Sequence, residues 1–509
     1  MATTNVFYMP ASKPFWSPMA KDLASHGLIP AIWMGDWRHD NFGRTEFPDA
    51  EVLPIKETHT TISDVPLAHA PSAELLTSRA FLAMKNQAMK LMDRQDETRY
   101  FGRLERDAHF YSIFNHLYSS IIEKKIGALV VGEAPHHTAQ LIGYRTCEML
   151  GIPTYHLMMN TYVPLLQVQR QIVGNPLPVP SAPDVTKHID EIHKSFETYR
   201  EGIPTPLYMT NQANFDKTWK FSRWVRRYWR NIVALRVKKI IGREIRPSND
   251  TGIRNLYPFQ VNRRHWLTPF RVEAIRRNLE QEYPKFAEKV DFSDGSLPKF
   301  VYFPMPFEPE RTTLPDGGDF YEAMDALLAL RAYLPEDVHI FVKEHPSQFA
   351  RKLSGYKGRS QLIYQVIANL PNTRLIDLSV PSASLTENAE FVCVITGTAA
   401  LEAALIGKKG VVFGSPWFWR LPGVHVFTEL PPYEKFVKLP GSSVDELKAA
   451  VSATVPGFNL PGTISVSQRT YMRQKFGDYV DELVRDEDTR RLVVETIVAD
   501  FTQRSKRKN

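Results

Sequence analysis

Short apolar runs alternate with longer amphipathic stretches along most of this chain. In the first half, apolar runs typical of buried strands lie at 4–10, 29–35, 127–132 and 151–159. Helical patterns lie between them, near 17–26, 73–94 and 106–124. Strands and helices that alternate at this spacing predict parallel βαβ units.

The pattern changes near residue 202 and becomes regular again near 299. Apolar runs in the second half lie at 299–307, 338–346, 373–379, 391–397 and 410–416. We therefore predict an α/β fold, with two Rossmann-like domains that face each other across a cleft and a basic helical insertion. The predicted boundaries are 1–201 for an N-terminal Rossmann-like domain, 202–298 for the insertion or linker, 299–443 for a C-terminal Rossmann-like domain, and 444–509 for terminal helices and a basic tail.

Composition limits the class of protein. The chain has 509 residues, which is too many for one core, and its 43% hydrophobic and 23% charged residues are ordinary for a globular protein. Cys147 and Cys393, its two cysteines, lie in apolar segments, which argues against a disulfide framework and a cysteine-based metal site. Neither a secretory signal nor a long apolar run is evident, so we expect a cytoplasmic location.

The net charge of +7 is concentrated in one segment. Between Lys217 and Arg246 there are eleven Lys or Arg residues and one acid, Glu244, interleaved with five aromatic residues. This mixture is typical of a helix at an anionic membrane surface, which would place the protein peripherally at the inner face of the membrane. A connector helix with inward-facing aromatic residues explains it equally well. Nucleic-acid binding predicts a similar composition, but we expect no nucleic-acid partner.

Two strand ends in the second half carry residues suited to a phosphate. FVKEHP ends in Lys343 and His345, and the apolar run FVCVI leads into Thr396, Gly397 and Thr398 at a predicted helix start. Free backbone N–H groups at a helix start suit an anion, and an imidazole at a strand end can donate to a phosphate or a ribose. The plainer interpretation is a histidine that bonds to the backbone, a solvated lysine and a threonine cap.

Further polar residues accompany these strand ends. Glu402 lies one turn into the predicted helix, where it reaches a ribose or sugar hydroxyl or is simply a surface residue. Glu308, Glu310 and Arg311 lie in a proline-rich loop after the first strand of the second half, where they either bind a sugar or ribose or form a solvated loop. We include all four among the predicted donor-binding residues.

The first half offers a candidate catalytic base. Glu133, His136 and His137 follow the strand GALVVG, and a carboxylate beside histidines at a strand end is a candidate for deprotonating an acceptor hydroxyl. His136 is expected at a helix start, where the helix dipole disfavours its cationic form. A helix cap with solvent-facing histidines is the alternative. No third ligand lies at a recognisable spacing, so we expect no metal and no cofactor.

Three segments resemble a known family in this order: VYFPMPFEPERTTLPDGG, FVKEHP and VITGTAALEAALIGKKGVVFG. They are similar to bacterial capsule polysaccharide biosynthesis proteins, a group that includes Kdo transferases. The His-Pro dipeptide and the later Ser/Thr pair are also similar to sialyltransferases and teichoic-acid polymerases. The resemblance covers about 295–420 well and 125–165 in patches. It implies a GT-B-like fold and a cytidine-nucleotide donor in the C-terminal half, with His345, Thr396 and Thr398 at its phosphate.

These observations predict a glycosyltransferase with His345, Glu133 and His136 as catalytic residues. Its partners would be a nucleotide sugar, expected to be Kdo-like and linked to cytidine monophosphate, and a surface polysaccharide or glycolipid acceptor. One alternative is a transferase of polyol phosphate from a cytidine-diphosphate polyol. Others are a non-catalytic capsule assembly protein that binds glycan or nucleotide, and a nucleotide-sugar epimerase on the same fold.

Overall fold

Two compact units make up the chain in this computed structural model. Unit 1 comprises Met1–Met92, Arg103–Ser195 and Lys448–Asn509, and unit 2 comprises Asp93–Gly102 and Phe196–Leu447. The structure describes residues 3–35, 37–53, 69–96, 102–160, 162–172, 174–201, 215–240, 267–293, 295, 297–308, 313–351 and 355–508.

Strands and helices alternate through both units. The described strands are β1 (Thr4–Met9), β2 (Leu28–Trp33), β3 (Glu51–Val52), β4 (Ile126–Val131), β5 (Thr154–Met159), β6 (Leu165–Gln169), β7 (Ala287–Glu288), β8 (Phe300–Pro304), β9 (His339–Lys343), β10 (Thr373–Ile376), β11 (Phe391–Val394), β12 (Lys409–Val412), β13 (Val424–Val426) and β14 (Leu460–Pro461).

Helices lie between most of these strands and at the C-terminal end of the chain. They are α1 (Trp16–Ser25), α2 (Trp37–Glu46), α3 (Ala73–Thr77), α4 (Arg79–Gln95), α5 (Arg103–Glu123), α6 (Thr138–Met149), α7 (Thr186–Glu201), α8 (Phe221–Ile240), α9 (Thr268–Phe286), α10 (Ala323–Tyr333), α11 (Leu362–Ala368), α12 (Ser382–Asn388), α13 (Ala399–Leu405), α14 (Tyr433–Phe436), α15 (Val444–Thr454), α16 (Val466–Phe476), α17 (Tyr479–Leu483) and α18 (Asp486–Lys508).

Unit 1 is built on a sheet that, in the described part of the chain, has seven strands in the order β14-β6-β5-β4-β1-β2-β3. The pairs from β5 through β4, β1 and β2 to β3 are parallel, whereas β6 is antiparallel to both of its neighbours. Central strands of such sheets are covered on both faces, which explains the uninterrupted apolar runs of β1 and β4.

The C-terminal helices complete unit 1. Leu492, Val493 and Ile497 of α18 share one hydrophobic cluster with Trp16 and Met19 of α1. The hydroxyl of Tyr155 on β5 also donates to Asp500 of α18 at 3.0 Å. The sequence set residues 444–509 apart as terminal helices, and in the structure residues 448–509 pack into the same unit as the N-terminal strands.

Unit 2 has a sheet whose described strands number seven, in the order β13-β12-β11-β8-β9-β10-β7. Every pair in it is parallel. Its core combines strand residues such as Val301 and Ile340 with Leu327 of α10 and Tyr364 of α11. The prediction of two mainly parallel α/β domains is confirmed.

Candidate functional site

Four neighbouring strands of unit 2 end at one edge of its sheet. β12, β11, β8 and β9 lie side by side and run parallel, so the loops after them leave from the same edge. His345 follows β9 and Thr396 follows β11. In open parallel sheets, ligands bind outside the carboxyl ends of the strands. We call these strand ends and their loops the unit 2 edge.

Lys343 is the last residue of β9 and is buried, with 5% of its surface exposed. Its Nζ donates to the carbonyl oxygen of Val380 at 2.6 Å and to Oγ of Ser382 at 3.1 Å. Burial lowers the pKa of Lys343, and Asp377 partly offsets that effect. An ammonium group has three N–H donors, so one is not used by bonds to the described residues. The interpretation of Lys343 as a solvated side chain is therefore wrong.

His345 is held in one tautomer by the turn that follows it. Its Nδ1 accepts a hydrogen bond from the backbone N–H of Ser347 at 3.1 Å, at the start of the 3-10 turn Pro346–Phe349. In the neutral ring the proton therefore lies on Nε2, which is a donor. Burial lowers the pKa of His345 to about 4; the charge of Glu344 opposes this shift and that of Arg359 adds to it. The ring is thus neutral at physiological pH and presents an N–H group.

A buried ion pair that sequence reasoning missed fixes the backbone at His345. Glu344 is 1% exposed, and its Oε2 lies 2.9 Å from Nε of Arg359 and accepts from the Tyr364 hydroxyl at 2.9 Å. Its Oε1 accepts from the backbone N–H of His345 at 2.8 Å. Arg359 also donates to the carbonyl oxygen of Pro306 at 2.6 Å. The network therefore joins the loops after β8 and β9 at the unit 2 edge.

The Thr-Gly-Thr turn lies between β11 and α13, as predicted. Thr396 is 8% exposed, whereas Gly397 is exposed. A Cβ atom at Gly397 would meet only Val394, at 3.7 Å, which is an ordinary contact. The protein's own packing therefore does not require glycine here, and the space above Gly397 is open to a ligand.

Thr398 does not cap the helix with its side chain. It occupies the N-cap position of α13 in a helical conformation without a capping hydrogen bond. Its hydroxyl donates instead to Oε1 of Glu402 at 2.7 Å. Burial raises the pKa of Glu402, and the bond from Thr398 opposes that effect. Glu402 is therefore a half-buried residue that is paired with Thr398.

The loop after β8 is held by one amide side chain. Gln348 accepts from the backbone N–H of Glu308 at 2.9 Å and donates to the carbonyl oxygen of Glu308 at 2.8 Å. Glu308 itself is 1% exposed, so the interpretation as a solvated loop fails at this residue. Glu310 and Arg311, the other two predicted residues of this loop, lie outside the described residues.

Asp316 is a second residue that sequence reasoning missed. Its carbonyl oxygen accepts from the backbone N–H of Ser415 at 3.3 Å, and a Cβ atom on Gly414 would lie 2.5 Å from that oxygen and 2.7 Å from Cγ2 of Thr396. Asp316 therefore lies beside the Thr-Gly-Thr turn. Its Oδ1 is buried without a hydrogen bond in the described part of the chain, and burial raises the pKa of Asp316 to about 7. The available signal was PDGG, a turn motif.

In unit 1, Glu133 and His136 lie together after β4. Nδ1 of His136 is 3.8 Å from Oε1 of Glu133 and 3.1 Å from the carbonyl oxygen of Ala134. A carbonyl only accepts, so Nδ1 carries the proton of the neutral ring and Nε2 is the basic nitrogen. Helix α6 begins at Thr138 with His137 as its N-cap, so His136 precedes the helix rather than starting it.

The described part of the basic segment includes helix α8, which has one buried and one exposed apolar stripe. Val225 and Ile232 are buried, at 7% and 3% exposure. Trp229, Val233 and Val237 are exposed, at 37%, 48% and 49%. Inward packing therefore accounts for only part of the apolar surface of this helix.

Within the described residues, neither a metal-binding cluster nor a membrane-spanning helix is evident. No group of three or more His, Cys, Asp or Glu residues there is arranged to hold a metal ion. Among the described helices, none combines the length and apolar character needed to cross a membrane.

The unit 2 edge lies within a segment that matches a family model. Two α/β units with mainly parallel sheets define the class of fold as α/β. Residues 308–436 match the family model described as "Capsule polysaccharide biosynthesis protein". The resemblance predicted from the sequence motifs is confirmed for these residues.

Other comparisons give low similarity. The β-Kdo 2,7 transferase of KpsC from Thermosulfurimonas dismutans is 13% identical, with a TM-score of 0.25, over 71% of this chain and 89% of that chain. UDP-GlcNAc 2-epimerase from Methanocaldococcus jannaschii is 10% identical, with a TM-score of 0.22, over 88% and 99%. These scores carry no functional argument. Comparison with curated proteins finds no match.

Proposed function

We propose that this protein is a glycosyltransferase of capsule polysaccharide biosynthesis. It moves a sugar from a nucleotide-linked donor to a surface polysaccharide or glycolipid acceptor. The observation that carries the proposal is the neutral His345, with its proton on Nε2, at the strand edge of a segment that matches the capsule family. We further propose a donor linked to cytidine monophosphate, as the resemblance of the motifs implies.

The transfer step makes one bond and breaks another. The acceptor oxygen bonds to the anomeric carbon, while the bond from that carbon to the donor phosphate breaks and the phosphate keeps the electron pair. Charge therefore develops on the leaving phosphate, where preorganised donors stabilise the transition state. We assign this role to Nε2–H of His345, the remaining donor of Lys343 and the turn at Gly397. Because these protein groups supply the donors, we propose a reaction without a divalent metal.

The acceptor hydroxyl must lose a proton. We propose that Glu133 or the basic Nε2 of His136, both in unit 1, accepts this proton. Oε1 of Glu133 lies 3.8 Å from Nδ1 of His136. A carboxylate beside an imidazole can share an incoming proton, which suits general-base catalysis. Glu308 and Glu402 remain proposed donor-binding groups.

Thermal-shift titration with cytidine, uridine, guanosine and adenosine nucleotides tests the donor class. A ligand that binds only the folded state raises the melting temperature according to its affinity. We expect selective stabilisation by cytidine monophosphate, and equal responses to all four nucleotides would contradict the proposal. Product analysis must then show a glycosidic bond, since a phosphodiester would indicate polyol-phosphate transfer instead.

We also propose that α8 contacts an anionic membrane surface. The exposed stripe of Trp229, Val233 and Val237 repeats every four residues, which aligns it along one side of the helix. Arg226 and Arg230 are exposed as well, and residues 217–240 contain no acid. Apolar side chains flanked by cations are typical of interfacial helices.

A further inference from the structure

Unit 1 contains a cationic cavity whose lining residues have no role in the transfer steps proposed above. It has a volume of about 430 Å³ and lies between the loop after β1, helices α16 and α17, and the start of α18. This volume is within the range of small-ligand sites, roughly 300–1,000 Å³. Its charged lining residues are Lys13, Arg469, Arg473, Asp481, Arg485 and Asp486.

The inner part of this cavity is a closed ion-pair network. Lys13 is 2% exposed and donates to the backbone and side-chain oxygens of Thr463, and it pairs with Asp486 at 2.6 Å. Arg469 pairs with both Asp486, at 2.8 Å, and Asp481, at 2.9 Å. These ion pairs connect α16, α17 and the start of α18 to the loop after β1.

The outer part carries more positive charge than this network uses. Four cations and two carboxylates line the cavity, which leaves an excess of two positive charges. Arg473 is 53% exposed and directs Nε and Nη2 to Asp481. Arg485 is exposed and makes no ion pair or side-chain hydrogen bond with the described residues. At the mouth, the Arg485 guanidinium has no side-chain partner among the described residues, and Arg473 keeps Nη1 beyond its bonds to Asp481. Guanidinium groups match the geometry of phosphate oxygens.

We infer that this cavity binds a phosphate or phosphodiester group. Its position suggests which molecule carries that group. The loop after β1 touches the strand end that bears Glu133, because a Cβ atom on Gly132 would lie 2.6 Å from the backbone nitrogen of Ala11. If the proposed function holds, the bound phosphate belongs to the acceptor, and the cavity holds it on the side of unit 1 where Glu133 lies.

Direct binding measurements on the full chain test the site without depending on turnover. The soluble probes are inorganic phosphate, glucose 1-phosphate and glycerophosphoglycerol, the last representing a phospholipid headgroup. We expect the double variant Arg473→Gln, Arg485→Gln to weaken binding of the preferred probe at least about tenfold. It loses two guanidinium groups, whose charge-assisted hydrogen bonds to phosphate are roughly twice as strong as neutral ones. Preference among the probes then distinguishes a sugar phosphate from a lipid headgroup as the source.

Arg491→Gln is the matched control, because Arg491 lies on α18 six residues after Arg485, is 54% exposed and, among the described residues, pairs only with Glu495. Binding by this variant should equal that of the unchanged protein. Absence of phosphate binding, equal weakening in the control, or tighter binding of glucuronate than of any phosphate would overturn the inference. Phosphate binding without transfer activity would refute the proposed function alone, whereas transfer activity without phosphate binding would refute only the cavity's role.

Discussion

The backbone N–H of Ser347 donates to Nδ1 of His345 at 3.1 Å, so the neutral imidazole carries its proton on Nε2. The backbone of His345 is fixed as well, because its N–H donates to the carboxylate of Glu344. Ring and backbone are thus set by two different bonds. A preorganised donor of this kind is what stabilisation of a leaving phosphate requires.

Replacing His345 tests the role of that donor. We expect His345→Ala to lower kcat by about 10²–10³-fold, a typical effect of removing one transition-state donor. His345→Gln retains an N–H donor and should keep part of the activity. Steady-state kinetics of both variants, with their melting temperatures, provide the measurement.

His339 supplies the control for this experiment. It begins β9 at the opposite end of the strand from His345, and burial lowers its pKa too. His339→Ala should therefore leave kcat close to that of the unchanged protein. Unchanged turnover in His345→Ala would refute the proposed role of His345.

Breaking the buried ion pair of Glu344 and Arg359 should lower the free energy of unfolding. Glu344→Gln leaves the guanidinium of Arg359 buried without its counter-charge, and a loss of about 3–5 kcal/mol is typical of such changes. The free energy of unfolding in urea measures it. The pair of Arg491 and Glu495, with side chains 54% and 33% exposed, provides the comparison, since Glu495→Gln should cost less than about 1 kcal/mol. Similar losses in the two variants would contradict a special role for the buried pair.

Sequence patterns predicted the fold where strands are fully buried. β1, β4, β9 and β11 all have uninterrupted apolar runs because both faces of each strand are covered. The two-residue strand β14 went unrecognised. A strand this short is defined by its partner rather than by its composition, and β14 pairs with β6 from far away in the sequence. For the same reason, the sequence did not assign the C-terminal helices to unit 1.

The same limit applies to the candidate site. Sequence reasoning selected loops at strand ends, because that choice depends only on local pattern. It could not predict that Lys343 bonds to Val380 or that Thr398 bonds to Glu402 instead of capping α13. Glu344 was overlooked because nothing local pairs it with Arg359. The contacts of Lys343 and Glu344 depend on where separate loops meet, which composition does not encode, whereas Thr398 and Glu402 are only four residues apart.

Asp316 should make stability fall as the pH rises. Its folded pKa of about 7 exceeds the unfolded value of 3.8, so between these values the native state binds more protons. Stability then decreases as the pH rises through this window. Asp316→Asn should raise the free energy of unfolding by about 2–4 kcal/mol at pH 8, and by less at pH 5.

Denaturant unfolding of this variant at both pH values is the measurement. Asp319→Asn is the matched control, because Asp319 is an exposed aspartate three residues along the same loop. A gain at pH 5 equal to that at pH 8, or an equal gain in the control, would contradict titration of Asp316 in this range.

Vesicle binding distinguishes the membrane and connector interpretations of α8. If the exposed stripe inserts, Val233→Glu places a charge in the apolar layer and should reduce partitioning onto phosphatidylglycerol-containing vesicles roughly tenfold, the equivalent of one buried valine. Val366→Glu on α11 is the control, since Val366 is 47% exposed against 48% for Val233.

Sedimentation at low and high salt gives the measurement, and binding should weaken with salt because arginine side chains flank the stripe. A connector helix predicts no binding that depends on anionic lipid, and equal losses in both variants would also argue against a specific membrane face. A loss confined to Val233→Glu, together with salt dependence, would assign the outward face of α8 to the membrane while Val225 and Ile232 hold its inward face.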